Sequence, residues 1–420
     1  MTRLEERISR VVVFDSPLRE NLFPFTLTKP SFNLICGTDS LLEGIRRSLG
    51  SPVTDLIVPK YLEALSRETN KETVNEEIED SCLVVNGLLK PTFPLSSELQ
   101  RLSDKRSDDF WALDAEGNIV FGITQQFDSK KLASHEIPDN QKQLIEGKPL
   151  FYYPWELVSE NSASIIASKY EYSSANHPFE VLGSKLHLSS SASVERFVTI
   201  DTRSGPVIID DGAVIQSFSH ITGPAYIGKN SIIKSGKIRQ GTTIGIGCRI
   251  SGEVEESIFC HYSNKNHDGF IGHSIIGSWA NLGALTTNSD LKNTYGTIKV
   301  RDHLGKEIST GLTKVGCFIG DMVKTSIGTM IYSGKSIGTC SQALGEVFED
   351  VPSFTMYARS LGKESKELYF ESALETQSRV MARRGVTISQ SYSEMMKSVQ
   401  QVTEKDRMAA SVKKGKFELV

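Results

Sequence analysis

The chain has 420 residues, 39% hydrophobic and 23% charged, with a formal net charge of -4. That balance describes a globular protein with core enough for roughly two or three domains, and it excludes a general nucleic-acid binder or a membrane-surface protein. The opening MTRLEERISR has no apolar h-region, no apolar run approaches the ~20 residues of a membrane span, and the six cysteines stand apart with no CxxC pair. Together these features predict a cytoplasmic protein with reduced thiols, no membrane partner and no structural zinc.

Val11, Val12, Val13 and Phe14 form a short apolar run that predicts a buried strand, ended by Asp15, Ser16 and Pro17. The loop beyond carries Arg19, Thr28 and Lys29. A first strand followed by a polar loop with basic residues is where an α/β domain holds a phosphate, at the carboxyl end of its sheet. The competing reading is a structural loop with solvated charges. Residues 38–49 predict a helix capped by Thr38 or Asp39, with Leu41, Leu42 and Ile45 as its apolar stripe. Residues 55–59 predict a strand, 60–75 a polar helix, and 82–89 a third strand containing Asn86 and Gly87. Residues 111–113 and 119–121 flank 114–117 as a hairpin. A closing helix begins near Pro154 and Trp155. Alternating strands and helices predict an α/β domain, set at residues 1–172, and a Ser- and His-rich linker at 173–206.

From residue 207 a six-residue beat takes over. It runs through Ile209, Ile215, Ile221, Ile227 and Ile233, slips by one residue, and resumes at Ile238, Ile244 and Ile250. It returns at Phe270, Ile276 and Leu282, and again at Ile319, Thr325, Ile331 and Ile337. A helix repeats near 3.6 and a half-buried strand at 2, so neither explains it. A period of six with glycine punctuation predicts a parallel β-helix over 207–350, in which residues about eighteen apart stack and the aliphatic side chain fills a triangular prism. An ordinary β-sandwich is the competing reading. Residues 288–312 interrupt the repeat with a hairpin-like turn at 302–306, and such excursions tend to carry function. Residues 351–420 predict helices at 363–381 and 389–405 that cover the last coil of the prism or pack on the N-terminal domain, then a basic tail.

The densest polar cluster, Tyr262, Asn264, Lys265, Asn266, His267 and Asp268, falls where the beat is lost between Ile258 and Phe270. His267 can accept a proton near neutral pH, and Lys265 and Arg239 suit a phosphate. A second cluster holds Asn288, Asp290 and Lys292, about one coil later. This pattern suits acyl transfer: an amine sheds a proton as it attacks a thioester, and the oxyanion needs a donor such as an Asn amide. A surface histidine bonded to the backbone and solvated turn residues are the bland alternatives.

At these residues the chain resembles the GlmU-like bifunctional sugar-1-phosphate enzymes, in a variant bacterial branch. The resemblance rests on residues 263–300, on Arg19 with Thr28, Lys29 and Pro30, on Asn86 with Gly87, on 154–157, and on Gly320, Asp321 and Lys324. It implies an α/β nucleotidyltransferase-like (Rossmann-like) domain followed by a left-handed β-helix acetyltransferase-like domain. It further implies a homotrimer, acetyl-CoA as co-substrate, Mg²⁺ at the phosphates, and a sugar 1-phosphate and a nucleoside triphosphate as substrates. In its light His267 is the catalytic histidine and Asn288 the oxyanion asparagine. Arg239, Tyr262, Asn264, Lys265 and Lys292 bind the sugar phosphate or CoA, and Arg19, Thr28, Lys29, Asn86 and Gly87 bind the nucleotide. The chain departs from the family where Met322 replaces a histidine and where the Gly-rich phosphate loop is missing. Three readings follow: a two-activity enzyme, an enzyme with one activity, or a non-catalytic trimeric scaffold or ligand sensor.

Overall fold

The computed structural model describes residues 8–104, 109–129, 132, 137–172 and 177–418. The first residues of the opening segment and 173–176 of the expected linker lie outside them. The chain divides into two compact units. One comprises Met1–Leu22, Thr28–Leu34 and Asp39–Tyr153, the other Phe23–Leu27, Ile35–Thr38 and Pro154–Val420. The border between the units falls before the Pro154–Ala167 helix.

The first unit is built on a seven-stranded sheet. Arg10–Phe14 lies at its centre, parallel to Asp55–Ile57 on one side and Cys82–Asn86 on the other. Val12, Val13, Val84 and Val85 are fully buried. Parallel strands covered on both faces need such continuous apolar runs, which is why the sequence shows no alternation here. Phe110–Leu113 and Ile119–Thr124 form the expected hairpin, and the Asp114 carboxylate accepts the backbone N–H of Glu116 and Asn118 in its turn. The helix expected at 38–49 is shorter, Leu41–Leu49, and its cap is Ser40, whose hydroxyl accepts the Glu43 N–H. The expected polar helix at 60–75 resolves into a 3-10 turn, Lys60–Leu62, a short helix, Glu63–Thr69, and an edge strand, Thr73–Val74.

The second unit is the prism. Its strands stack in three parallel ladders: Val207 pairs with Ala225, Val214 with Ile232, and Thr199 with His220. The fold class is a parallel β-helix of the left-handed hexapeptide type. It begins earlier than 207, because Glu180–Leu182, Leu186–Leu188, Ser193–Val194 and Thr199–Asp201 already form coils. The expected linker is thus mostly prism. Its polar surface hid the inward residues Leu186, Val198 and Ile200. One core stack contains every aliphatic residue of the beat from Ile209 to Ile337. Each such side chain contributes about 1.5–3 kcal/mol by leaving water.

Two details correct the beat. Phe270 is not an inward residue; Ile271 is, paired with Val254. The repeat also does not fail between Ile258 and Ile271. Asn264–Lys265 is a strand of the ladder, with Lys265 in register with Ile250. The inward position is simply taken by a lysine. One corner of the prism is a column of left-handed residues, among them Asn230, Gly247, Tyr262, Trp279, Met322 and Cys340. After the 289–316 excursion, whose hairpin pairs Lys299–Arg301 with Glu307–Ser309, the coils resume at Phe318–Ile319. Helices Phe370–Ala382, Gln390–Val402 and Glu404–Ala409 follow the last coil.

Candidate functional site

At the carboxyl end of the first unit's sheet, Asp15 follows the central strand. Its carboxylate takes the Arg19 Nε at 2.7 Å and the Ser31 N–H at 3.0 Å. Arg19 also donates to the Tyr61 hydroxyl at 3.0 Å, with its guanidinium over that ring. Burial holds the Asp15 carboxyl above its usual range, against the pull of Arg19. Arg19 is only 6% exposed. It is therefore the inner partner of a buried pair and does not stand open to a triphosphate, which corrects the expectation from sequence. Asn86 is likewise structural: its amide donates to the Ile119 carbonyl at 2.7 Å and accepts the Leu88 N–H at 3.0 Å. Gly87 sits where a Cβ would press within 3.0 Å of the Phe14 carbonyl and the Phe32 ring, so it permits a close approach of two chain segments. Thr28 is buried, and Lys29 is half-buried with polar contacts of its own.

A magnesium site in a phosphoryl-transfer enzyme needs one or two available carboxylates beside the phosphates. Asp15 is committed to Arg19 and Ser31, and the exposed Glu20 lies in the same loop, near Tyr61. Among the described residues no three His, Cys, Asp or Glu side chains are grouped to hold a metal.

The prism cluster is more open. His267 is exposed on the corner loop between the strand Asn264–Lys265 and the strand Phe270–Gly272. Lys265 lies inside that corner, 1% exposed, and its ammonium donates to the Ser251 carbonyl at 3.1 Å and the His267 carbonyl at 2.8 Å. Burial pushes its pKa down to about 8, with Asp268 opposing. Lys265 thus fastens the loop that presents His267 and is itself withdrawn from any surface ligand. Tyr262 stacks on Trp279, centroids 4.3 Å apart. Asn264 accepts Arg384 Nη2 at 3.0 Å, Arg239 is paired with Glu253, and Lys292 donates to the Thr297 carbonyl at 2.7 Å.

Asn288 also proves to be an inward residue, in register with Ile331 and 4% exposed. Its Oδ1 accepts the Gly272 N–H at 2.9 Å and its Nδ2 donates to the Gly272 carbonyl at 3.0 Å. With both ends of the amide tied to the neighbouring coil, it is not an available oxyanion donor. Met322, where the resemblance calls for histidine, is buried, and the Tyr392 hydroxyl of the C-terminal helices meets its sulfur at 2.8 Å.

One pair escaped sequence reasoning. His273 Nδ1 lies 2.7 Å from Asp290 Oδ2, both side chains largely buried. Burial works against the charged Asp290, but the His273 hydrogen bond and the Lys314 charge hold its pKa below the usual value. The pair ties the start of the excursion to the prism, and the Val315 N–H bonds back to the Asp290 carbonyl. The residues are seventeen apart in sequence, close to one coil, and that spacing was the available signal.

Comparison with known proteins agrees with this architecture. Residues 11–172 match the family described as sugar nucleotidyl transferase. Over 238 residues the chain is 30% identical to the bifunctional protein GlmU of Methanococcus maripaludis, covering 53% of this chain and 52% of that one. Over 141 residues it is 38% identical to the bifunctional sugar-1-phosphate nucleotidylyltransferase/acetyltransferase of Sulfurisphaera tokodaii, covering 32% and 34%. The solved UDP-N-acetylglucosamine acyltransferase of Francisella novicida is 16% identical over 54% of this chain and 78% of its own, with a TM-score of 0.30. The chain spans about a third to a half of the length of these curated relatives. The family match covers the α/β unit and the helix that follows it. The chain is similar to GlmU proteins over about half of its length. No helix among the described residues is long and apolar enough to cross a membrane.

Proposed function

We propose that the chain is a transferase of sugar-nucleotide metabolism whose prism moves an acetyl group from acetyl-CoA to an amino sugar phosphate. The observation that carries the reading is His267, an exposed imidazole on a corner loop fastened from within by Lys265. In this mechanism the sugar amine attacks the thioester carbonyl as His267 takes its proton. The C–N bond forms, the C–S bond breaks, and the proton passes on to the departing CoA thiolate. Arg239 and Lys292, on the prism and its excursion, serve the sugar phosphate. The working form is a homotrimer in the cytoplasm, a compartment suited to six buried free cysteines.

A second reading applies to the first unit. The Asp15–Arg19 lock favours an enzyme with one activity, in which this unit binds a nucleotide without transferring it. Two assays test the pair of readings: thiol release from acetyl-CoA with glucosamine 1-phosphate, and pyrophosphate release from nucleoside triphosphates with sugar 1-phosphates. Thiol release alone is expected. Absence of both supports the scaffold instead, and a monomer by light scattering contradicts the trimer.

A further inference from the structure

The outward face of one prism ladder carries Arg249 and Asn264 on adjacent rungs, in register with each other. Asn281 and Lys324 continue that ladder, and no carboxylate interrupts the run. Arg249 Nη1 meets three backbone carbonyls, that of Asn230 on the preceding coil at 2.9 Å and those of Gly247 at 3.2 Å and Cys248 at 2.9 Å just before it in the chain. That grip fixes the plane of the guanidinium and leaves its other edge uncommitted. From the turn after the Phe370–Ala382 helix, Arg384 reaches the same face and donates to Asn264 Oδ1 at 3.0 Å. This orients the Asn264 amide so that its NH₂ is a further donor. Neither arginine pairs with a carboxylate among the described residues. They lie near enough that burial, and after it the Arg384 charge, pull the Arg249 pKa below its usual value.

Two guanidiniums held side by side without a counter-charge repel, and both are half-buried. A planar fork fixed on one edge and a second fork across a shared amide suit a tetrahedral oxyanion with two negative charges. The geometry points to a phosphate-class anion site at which the C-terminal extension closes on the prism, with Arg249, Asn264 and Arg384 as its donors. The site is independent of His267 and of turnover. It gives the extension a ligand-dependent role: anion binding relieves the arginine repulsion and fastens the helices to the prism.

Calorimetric titration of the full chain with inorganic pyrophosphate tests this directly. Binding about tenfold weaker in both Arg249→Gln and Arg384→Gln, with Arg384→Lys between them and wild type, is the expected result. Equal binding by wild type and both Gln variants, or no binding by folded wild type, overturns the site. Arg384 sits in a turn, so its Gln variant is expected to fold, and the melting temperature without anion serves as the check. Coenzyme A and 3′-dephospho-coenzyme A distinguish the source. If Arg384→Gln weakens the first and spares the second, the occupant is the nucleotide's terminal phosphate. If it weakens pyrophosphate alone, the occupant is a free anion.

Discussion

The ammonium of Lys265 donates to the main-chain carbonyl of His267 at 2.8 Å from inside the prism. An interior position that the adjacent coils fill with Ile250 and Leu282 is here given to a lysine, and its reach sets the corner loop above it. A buried ammonium is costly, and the cost depends on pH. The folded chain holds this proton less tightly than the unfolded chain, whose lysine pKa is ~10.4. Below about 8 the penalty is fully present, and it fades as pH rises towards ~10.4. Stability should therefore rise by up to ~3 kcal/mol over that window. Lys265→Met should flatten the rise in urea titrations. A rise of the same size in the variant would assign it to another group.

Asn288 bonds both the N–H and the carbonyl of Gly272. Asn288→Leu keeps the volume and leaves the Gly272 N–H unpaired inside the prism, while the Gly272 carbonyl keeps the Ser274 hydroxyl, so a loss of about 1–3 kcal/mol is expected in urea unfolding. Full stability with lost turnover would return Asn288 to the chemistry.

The Asp15–Arg19 pair is buried, and removing one partner strands the other. Asp15→Asn or Arg19→Gln alone should each cost about 3–5 kcal/mol, and a double substitution with apolar residues should cost less than either. A large loss of nucleotide affinity in Arg19→Gln with unchanged stability would contradict the structural role.

How much of this was legible in the sequence varied with the physical signal. The period of six revealed the prism because each inward aliphatic residue repeats once per face. The same logic misread Lys265 and Asn288 as residues of surface loops. Polar side chains at inward positions break the hydrophobic pattern without breaking the coil, and their hydrogen bonds run to backbone groups on neighbouring coils. The first coils, from Glu180, were lost because serine-rich corners diluted Leu186 and Val198. Arg19 looked available because its acidic partner, Asp15, was read only as the end of a strand. The role of Arg384 could not be read at all, since nothing in its local sequence ties it to Asn264.

Asp290 joins His273 at the root of the excursion. Its lowered pKa means the pair contributes stability above ~3.9, the unfolded value, and loses it as pH falls through the folded pKa. Asp290→Asn should loosen 291–314 and speed tryptic cleavage at Lys299 and Arg301 at neutral pH. Unchanged cleavage would show that the hairpin holds without this pair.

His267→Ala is the most direct test of acyl transfer at the prism corner. Thiol release from acetyl-CoA with glucosamine 1-phosphate should fall about 10²–10⁴-fold while melting temperature and coenzyme A affinity stay at wild-type values. Thiol release at the wild-type rate in the folded variant would contradict a general base at His267.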